Sequence, residues 1–198
     1  MSGLIGYSGA RSGVLGQIGD IVLLRTHTAT GTSWEVKVLF TREFRSYQFV
    51  WHNFKMATDN THLKMQYSVD NGSNWISASN YHTQGFSAVN GGTTYPFNSE
   101  GGGDAQVAGL GNQGASGNEG GAMIIWVFDP LNPTSRKYQL SNCVNYKYDA
   151  EICYSGVGGS YQRSDATNAV KFYPAAGAFD NNNDDYNHVS VYGYRWHN

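Results

Sequence analysis

The sequence predicts an all-β protein: an antiparallel two-sheet sandwich, jelly-roll-like, behind an extended glycine-rich N-terminal arm. Three observations predict it. Short apolar stretches alternate with polar residues at a period of two, which sends successive side chains to opposite faces of a strand. Turn-forming residues separate these stretches at fairly even spacing, giving nine or ten strands. No 3.6-residue apolar period is sustained, and the 25 glycines among 198 residues oppose helix. Residues 1–20 are expected to form the arm and residues 21–198 a single sandwich head, long enough to bury a core.

The arm carries an internal repeat. Ser2-Gly3-Leu4-Ile5-Gly6 is answered ten residues later by Ser12-Gly13-Val14-Leu15-Gly16, with further glycines at 9 and 19. Such glycine density permits close approach to another chain. The aliphatic pairs Leu4-Ile5 and Val14-Leu15 are too few for a core of their own. We expect an attachment arm that orders against a partner through these four residues, where the plainer alternative is a frayed terminus.

Along the head, Ile21–Leu24 starts a strand that runs on to Thr30, and Gly31-Thr32-Ser33 is a turn. Trp34, Val36, Val38 and Phe40 then alternate with polar residues, as do Tyr47, Phe49 and Trp51, and then Leu63, Met65, Tyr67 and Val69. Residues 80–121 hold so much glycine and asparagine that they read as one long loop. Ala122–Phe128 is apolar throughout and reads as a central strand covered on both faces, stopped by Asp129-Pro130. Lys137–Tyr148 is a strand with Tyr138 and Leu140 inward, and Ala150–Tyr154 returns beside it. After a polar loop from Ser155 to Ala166, strands at Ala169–Tyr173 and around Val189, Val191 and Gly193 close the chain. Trp34, Phe49 and Trp126 are expected in the core.

Ser68, Asp70, Gly72 and Trp75 form an S-x-D-x-G-x-x-W turn. Asp can bond amides across the turn, Gly supplies a positive φ, and Trp folds over it. The pattern resembles the Asp box of sialidase-type propellers. A propeller would repeat it, so its single occurrence here marks a hairpin and no activity.

Composition excludes several function classes. Charged residues are 14% and the net charge is −2, with no basic stripe for nucleic acid. No apolar run approaches the ~18 residues of a membrane span. The N-terminus lacks the basic n-region of a secretory signal, so folding in a cytoplasm is expected. A G-x-S-x-G elbow is absent, and His27, His52, His62, His82, His188 and His197 lack metal-ligand spacing. No cofactor and no catalytic residue is expected. Asp180, Asn182 and Asp184 have the D-x-N-x-D spacing of calcium ligands, but the glycine and bidentate glutamate of an EF-hand loop do not follow, which favours a solvated turn. Cys143 and Cys153 would face each other across a hairpin turning at Tyr148; a disulfide is geometrically possible, and reduced thiols suit a cytoplasmically folded protein better. Tyr, Trp and Asn on loops suit sugar or protein surfaces.

Several stretches carry a family resemblance: Gly9-Ala10-Arg11-Ser12-Gly13, the strand Tyr47–Asn53, Gln66–Trp75, the apolar strand ending Phe128-Asp129-Pro130, and Val191-Tyr192-Gly193. Together they resemble structural and tail-fibre-like virion proteins of marine tailed phages, including cyanophages. The resemblance implies a non-enzymatic β-sandwich on the virion surface, assembled in the host cytoplasm, with other virion proteins of capsid or tail as partners. A host-surface glycan or protein is the implied target, and a homo-oligomer the implied state, a trimer by analogy with threefold appendages. Host attachment of tail-fibre or spike type is the leading expectation. Its alternatives are a capsid decoration, cement or head-fibre protein, and a glycan-binding or glycan-cleaving module.

Overall fold

Alternation of the predicted kind builds two antiparallel sheets. The computed structural model describes residues 21–90, 92–113, 115, 119–147, 151–181 and 185–195, with the side chains of 108–113 left aside. The arm, including Leu4, Ile5, Val14 and Leu15, lies outside the described residues. The strands are β1 (Ile21–Thr28), β2 (Trp34–Val36), β3 (Phe44–Phe54), β4 (Thr61–Ser68), β5 (Tyr81–Val89), β6 (Thr94–Gly102), β7 (Ala105–Gln113), β8 (Gly121–Phe128), β9 (Lys137–Tyr146), β10 (Ile152–Tyr161), β11 (Ala169–Pro174) and β12 (His188–Arg195). Eight form one sheet in the order β1-β12-β3-β8-β9-β10-β5-β6, and four form the other in the order β2-β11-β4-β7. The sheets are antiparallel and no helix occurs among the described residues.

The core lies where β3, β8 and β12 face β2, β4 and β11. Tyr47, Phe49, Trp51, Ile125, Val127 and Val191 point in from the large sheet; Trp34, Leu63, Met65, Tyr67 and Phe172 point in from the small one. Trp34 is central: its ring stacks on Phe172 at 5.7 Å and meets Trp51 edge-on at 5.5 Å. Each fully buried aromatic or aliphatic side chain contributes about 1.5–3 kcal/mol over its exposed state.

Several expectations need correction. The alternation from Trp34 breaks at Val38, which is exposed and sits at φ 56°, so β2 ends at Val36. A β-branched residue in the left-handed region is disfavoured, and no strand continues through it. Val69 is likewise exposed, one residue past the end of β4. The region 80–121 is not a loop but contains β5, β6 and β7. Glycine is used there for proximity: a Cβ on Gly85 of β5 would stand 2.3 Å from the carbonyl oxygen of Gly156 on β10. β10 runs on to Tyr161, beyond the expected end at Tyr154, with Gly156 and Gly159 again leaving room for the neighbouring Phe86 and Gln139 side chains.

The turn at 68–75 has the expected chemistry. Ser68 Oγ donates to Asp70 Oδ1 (2.7 Å) and accepts from the Gly72 amide (2.9 Å), while the Asn74 amide donates to Asp70 Oδ1 (2.8 Å). Hydrogen bonds from Asn74, then Ser68, lower the Asp70 pKa to about 2. Gly72 sits at φ 79° beneath the Trp75 ring. The turn is not a hairpin between paired strands, however. After one bond from the Ile76 amide to the Tyr67 carbonyl, the chain crosses to β5 in the other sheet.

Candidate docking face

The largest departure from the sequence reading concerns which side of the large sheet is apolar. Strand β9 alternates as expected, but in the opposite sense: Lys137, Gln139, Ser141, Cys143 and Asn145 are buried, and Tyr138, Leu140, Asn142, Val144 and Tyr146 are exposed. Strand β8 puts Met123, Ile125 and Val127 inside and turns Ile124, Trp126 and Phe128 outward, so it is covered on one face and Trp126 is not a core residue. The expectations for Tyr138, Leu140 and Trp126 are therefore reversed. Period two fixes that neighbouring side chains part company; it does not say which side meets the other sheet.

The registers place the outward residues in four cross-strand rows. The central row reads Leu23, Tyr192, Gln48, Trp126, Leu140, Gly158, Gln84 and Asn98. Beside it run Thr26, Ser190, Val50, Ile124, Asn142, Gly156, Phe86 and Pro96. On the other side lie Ile21, Tyr194, Ser46, Phe128, Tyr138, Ser160 and His82. The fourth row takes Thr28, His188 and His52, and across from them Ala122, Val144, Tyr154, Ala88 and Thr94. These rows contain no Asp, Glu, Lys or Arg; the one outward carboxylate beside them among the described residues is Glu100, on the edge strand β6 next to His82. Many apolar members are well exposed, including Tyr138 at 53% and Val144 at 49%. Val50, Ile124, Val144 and Tyr154 border a shallow groove of about 290 Å³.

Several polar groups on this face satisfy one another. The Tyr194 hydroxyl donates to Gln48 Oε1 (2.9 Å) and the Tyr154 hydroxyl to Asn142 Oδ1 (2.7 Å). His52 Nε2 shares a hydrogen bond with Ser190 Oγ (3.1 Å), and His188 Nδ1 with Thr28 Oγ1 (3.0 Å). Exposed ion pairs mark one end of the face, Arg45–Asp129 at 3.0 Å and Glu43–Arg195; at the other end Lys147, buried past the end of β9, pairs with Glu151 at 3.0 Å. A second groove, of about 330 Å³ and polar, lies at the β5–β6 side between His82, Gln84, Asn98 and Glu100. An apolar centre with charges at its margin is the anatomy of a protein interface.

Beneath β9 and β10 the sandwich is polar. Strand β7 packs across β9, β10 and β5. Thr83 Oγ1, both amide atoms of Gln139, Asn145 Nδ2 and Ser155 Oγ are buried there without a protein hydrogen-bond partner. Lys137 is fully buried and donates to the carbonyls of Asn132 and Ser135; burial lowers its pKa. Cys143 and Cys153 also lie here. The register pairs Cys143 with Ser155 and Cys153 with Asn145, so they are two residues apart across the ladder and no disulfide joins them.

The small sheet's outer face differs. Glu35, Lys171 and Gln66 form one outward row, Tyr173, Lys64 and Gln106 another. Asp104 Oδ2 accepts from Lys64 Nζ (3.2 Å) and the Tyr173 hydroxyl (2.8 Å). Glu35 pairs with Lys37 (2.9 Å) and accepts from the Trp75 indole (3.1 Å). Lys171 Nζ lies 5.1 Å from the Trp75 ring centre. Burial, then Lys64, lowers the His62 pKa to about 4.

Asp180, the first residue of the calcium candidate, is buried and pairs with Lys55 at 3.4 Å. Asn187 ties the same knot, accepting from the Lys55 amide (2.9 Å) and donating to the Asp180 carbonyl (3.0 Å). Asn182 and Asp184 lie outside the described residues. Among the described residues, no group of three or more His, Cys, Asp or Glu side chains is placed to hold a metal ion. In comparisons with known proteins, no family model matches the chain and no curated protein matches it.

Proposed function

We propose that this chain is a non-enzymatic structural protein of a tailed-phage virion, held in the particle by protein–protein contacts and exposed for attachment to a host surface, in the manner of a tail fibre or spike. The observation that carries the docking part is the outer face of the eight-stranded sheet, whose four cross-strand rows hold no charged residue. Monomeric proteins rarely expose contiguous apolar patches beyond a few hundred Å², and larger ones mark interaction sites. Strand β9 strengthens the point. It sends Gln139 and Asn145 into the protein and Leu140 and Val144 out, at a cost in unpaired buried polar atoms. That cost is understandable where the outer side is covered in the working assembly. The virion part rests on the resemblance carried by Tyr47–Asn53, Gln66–Trp75 and Phe128-Asp129-Pro130, and the doubled arm suits anchoring to a capsid or tail protein.

The test is to locate the chain by cryo-electron microscopy of particles produced with it. Density at the tail is expected. Copies on every capsomer would overturn the tail assignment in favour of decoration, and absence from purified particles would overturn the virion reading. Release of reducing sugar from host polysaccharide would overturn the non-enzymatic part.

A further inference from the structure

The outer face of the large sheet restricts what can cover it. A charged partner finds no counter-charge within the four rows. A glycan, whose hydroxyls need free donors and acceptors, finds several of the polar side chains already engaged: Tyr194 with Gln48, Tyr154 with Asn142, His52 with Ser190 and His188 with Thr28. What the face offers is apolar area around Ile124, Trp126, Leu140 and Val144. A covering surface must itself be charge-free and sheet-like, or charges would be buried unpaired at a cost of several kcal/mol each.

We propose that the occupant is a second copy of this chain, packed face to face through the same sheet about a twofold axis near Trp126 and Leu140. This deepens the assembly reading above and rests on it only for the biological setting. A second copy brings the matching charge-free face by construction, and an isologous contact needs self-complementarity alone. The size is right. Eight strands about 4.8 Å apart and four rows about 6.8 Å apart cover roughly 34 by 20 Å, about 700 Å². A standard stable interface buries about 800 Å² per partner. Twisted sheets pack at about 30° and 10 Å, which leaves room for exposed residues such as Leu140 and Val144 to interdigitate. The paired ions Arg45–Asp129 then fall at the rim, where water keeps them solvated.

Sedimentation velocity of the full chain from about 0.1 to 100 µM tests this. A reversible dimer is expected. Leu140→Glu and Ile124→Glu should each weaken it at least about 100-fold, because each buries an unpaired charge twice per dimer. Their circular dichroism and melting temperature under dilute, monomeric conditions should match the parent chain. If either fails to fold, Tyr138→Lys, at a more exposed position, serves instead. Gln106→Glu, on the small sheet's outer face, should leave the dimer intact. A monomer at 100 µM overturns the inference, as does any assembly insensitive to the charged variants. So does neutral-glycan binding by a monomeric chain that those variants abolish. A dimer formed by a chain absent from purified particles would uphold this inference and sink the virion reading.

Discussion

The two outer faces of the sandwich solve the same problem, exposure of one side of a sheet, in opposite ways. The small sheet places Lys64, Lys171, Glu35 and Asp104 outside and pairs them locally. The large sheet places Trp126, Leu140 and Ile124 outside and carries no formal charge in its four cross-strand rows, with Glu100 exposed on the edge strand β6. A surface that neutralises its own charges is finished as a solvent boundary. One that keeps its polar groups to itself and leaves apolar area open is unfinished, and a second surface completes it. The contrast teaches that the side of a sheet facing away from the core need not be the side that ends in water.

Six substitutions sharpen or break this contrast, taken from the largest effect to the smallest. Ile125→Ala beneath the charge-free face and Phe172→Ala beneath the charged one should each destabilise by about 3–4 kcal/mol in urea unfolding. Both are fully buried. A cost near zero at Ile125 would mean that the large sheet's inner face is not its core side.

His62 belongs to the charged face. In the unfolded chain it titrates near 6.5 and in the folded chain near 4. Between those values the unfolded chain takes up a proton that the folded one refuses, so stability falls as pH drops from 6.5 toward 4. His62→Gln should remove this component, on the order of 2 kcal/mol by pH 4.5. Parallel pH profiles for the two chains would contradict it.

Asp104→Ala takes the shared acceptor from Lys64 and Tyr173 and should cost about 1 kcal/mol. Leu140→Ser, on the other face, should change monomer stability by less than about 0.5 kcal/mol while weakening self-association at least about tenfold. Equal stability losses at the two positions would erase the distinction between the faces.

The smallest effect is expected under β9. Ser155 Oγ has no protein partner, so Ser155→Ala should be neutral or stabilising by up to about 1 kcal/mol. A loss above about 1 kcal/mol, read from the denaturant midpoint, would show that this hydroxyl is satisfied in solution.

Much of the fold was legible because its signal is local. Tyr47-Phe49-Trp51, Leu63-Met65-Tyr67 and Val170-Phe172 alternate as half-buried strands, and they are core residues of β3, β4 and β11. The turn at Ser68–Trp75 was legible from side chains that bond within a few residues. Strands β5, β6 and the second half of β10 were not. Gly85, Gly156 and Gly159 read as loop because their role is to let neighbouring backbones and side chains approach across a ladder. The docking face was written in β9 as alternation but carried the wrong apparent sense, because Leu140 and Val144 look like core when taken alone. Asp180 offered calcium-ligand spacing in what reads as a solvated turn; it is buried instead, because its partner Lys55 is remote in sequence.

By itself, then, the sequence determined an all-β chain, the period of its strands, the turn chemistry and the poverty of charge, since each depends on residues within a few positions of one another. Only the tertiary structure decided which face of each strand meets the opposite sheet, where glycine-rich segments pair, and that outward residues of eight strands line up in four rows without charge. Those outcomes depend on register between strands distant in the chain. A shift of one residue would reverse every side chain, and no local signal carries that information.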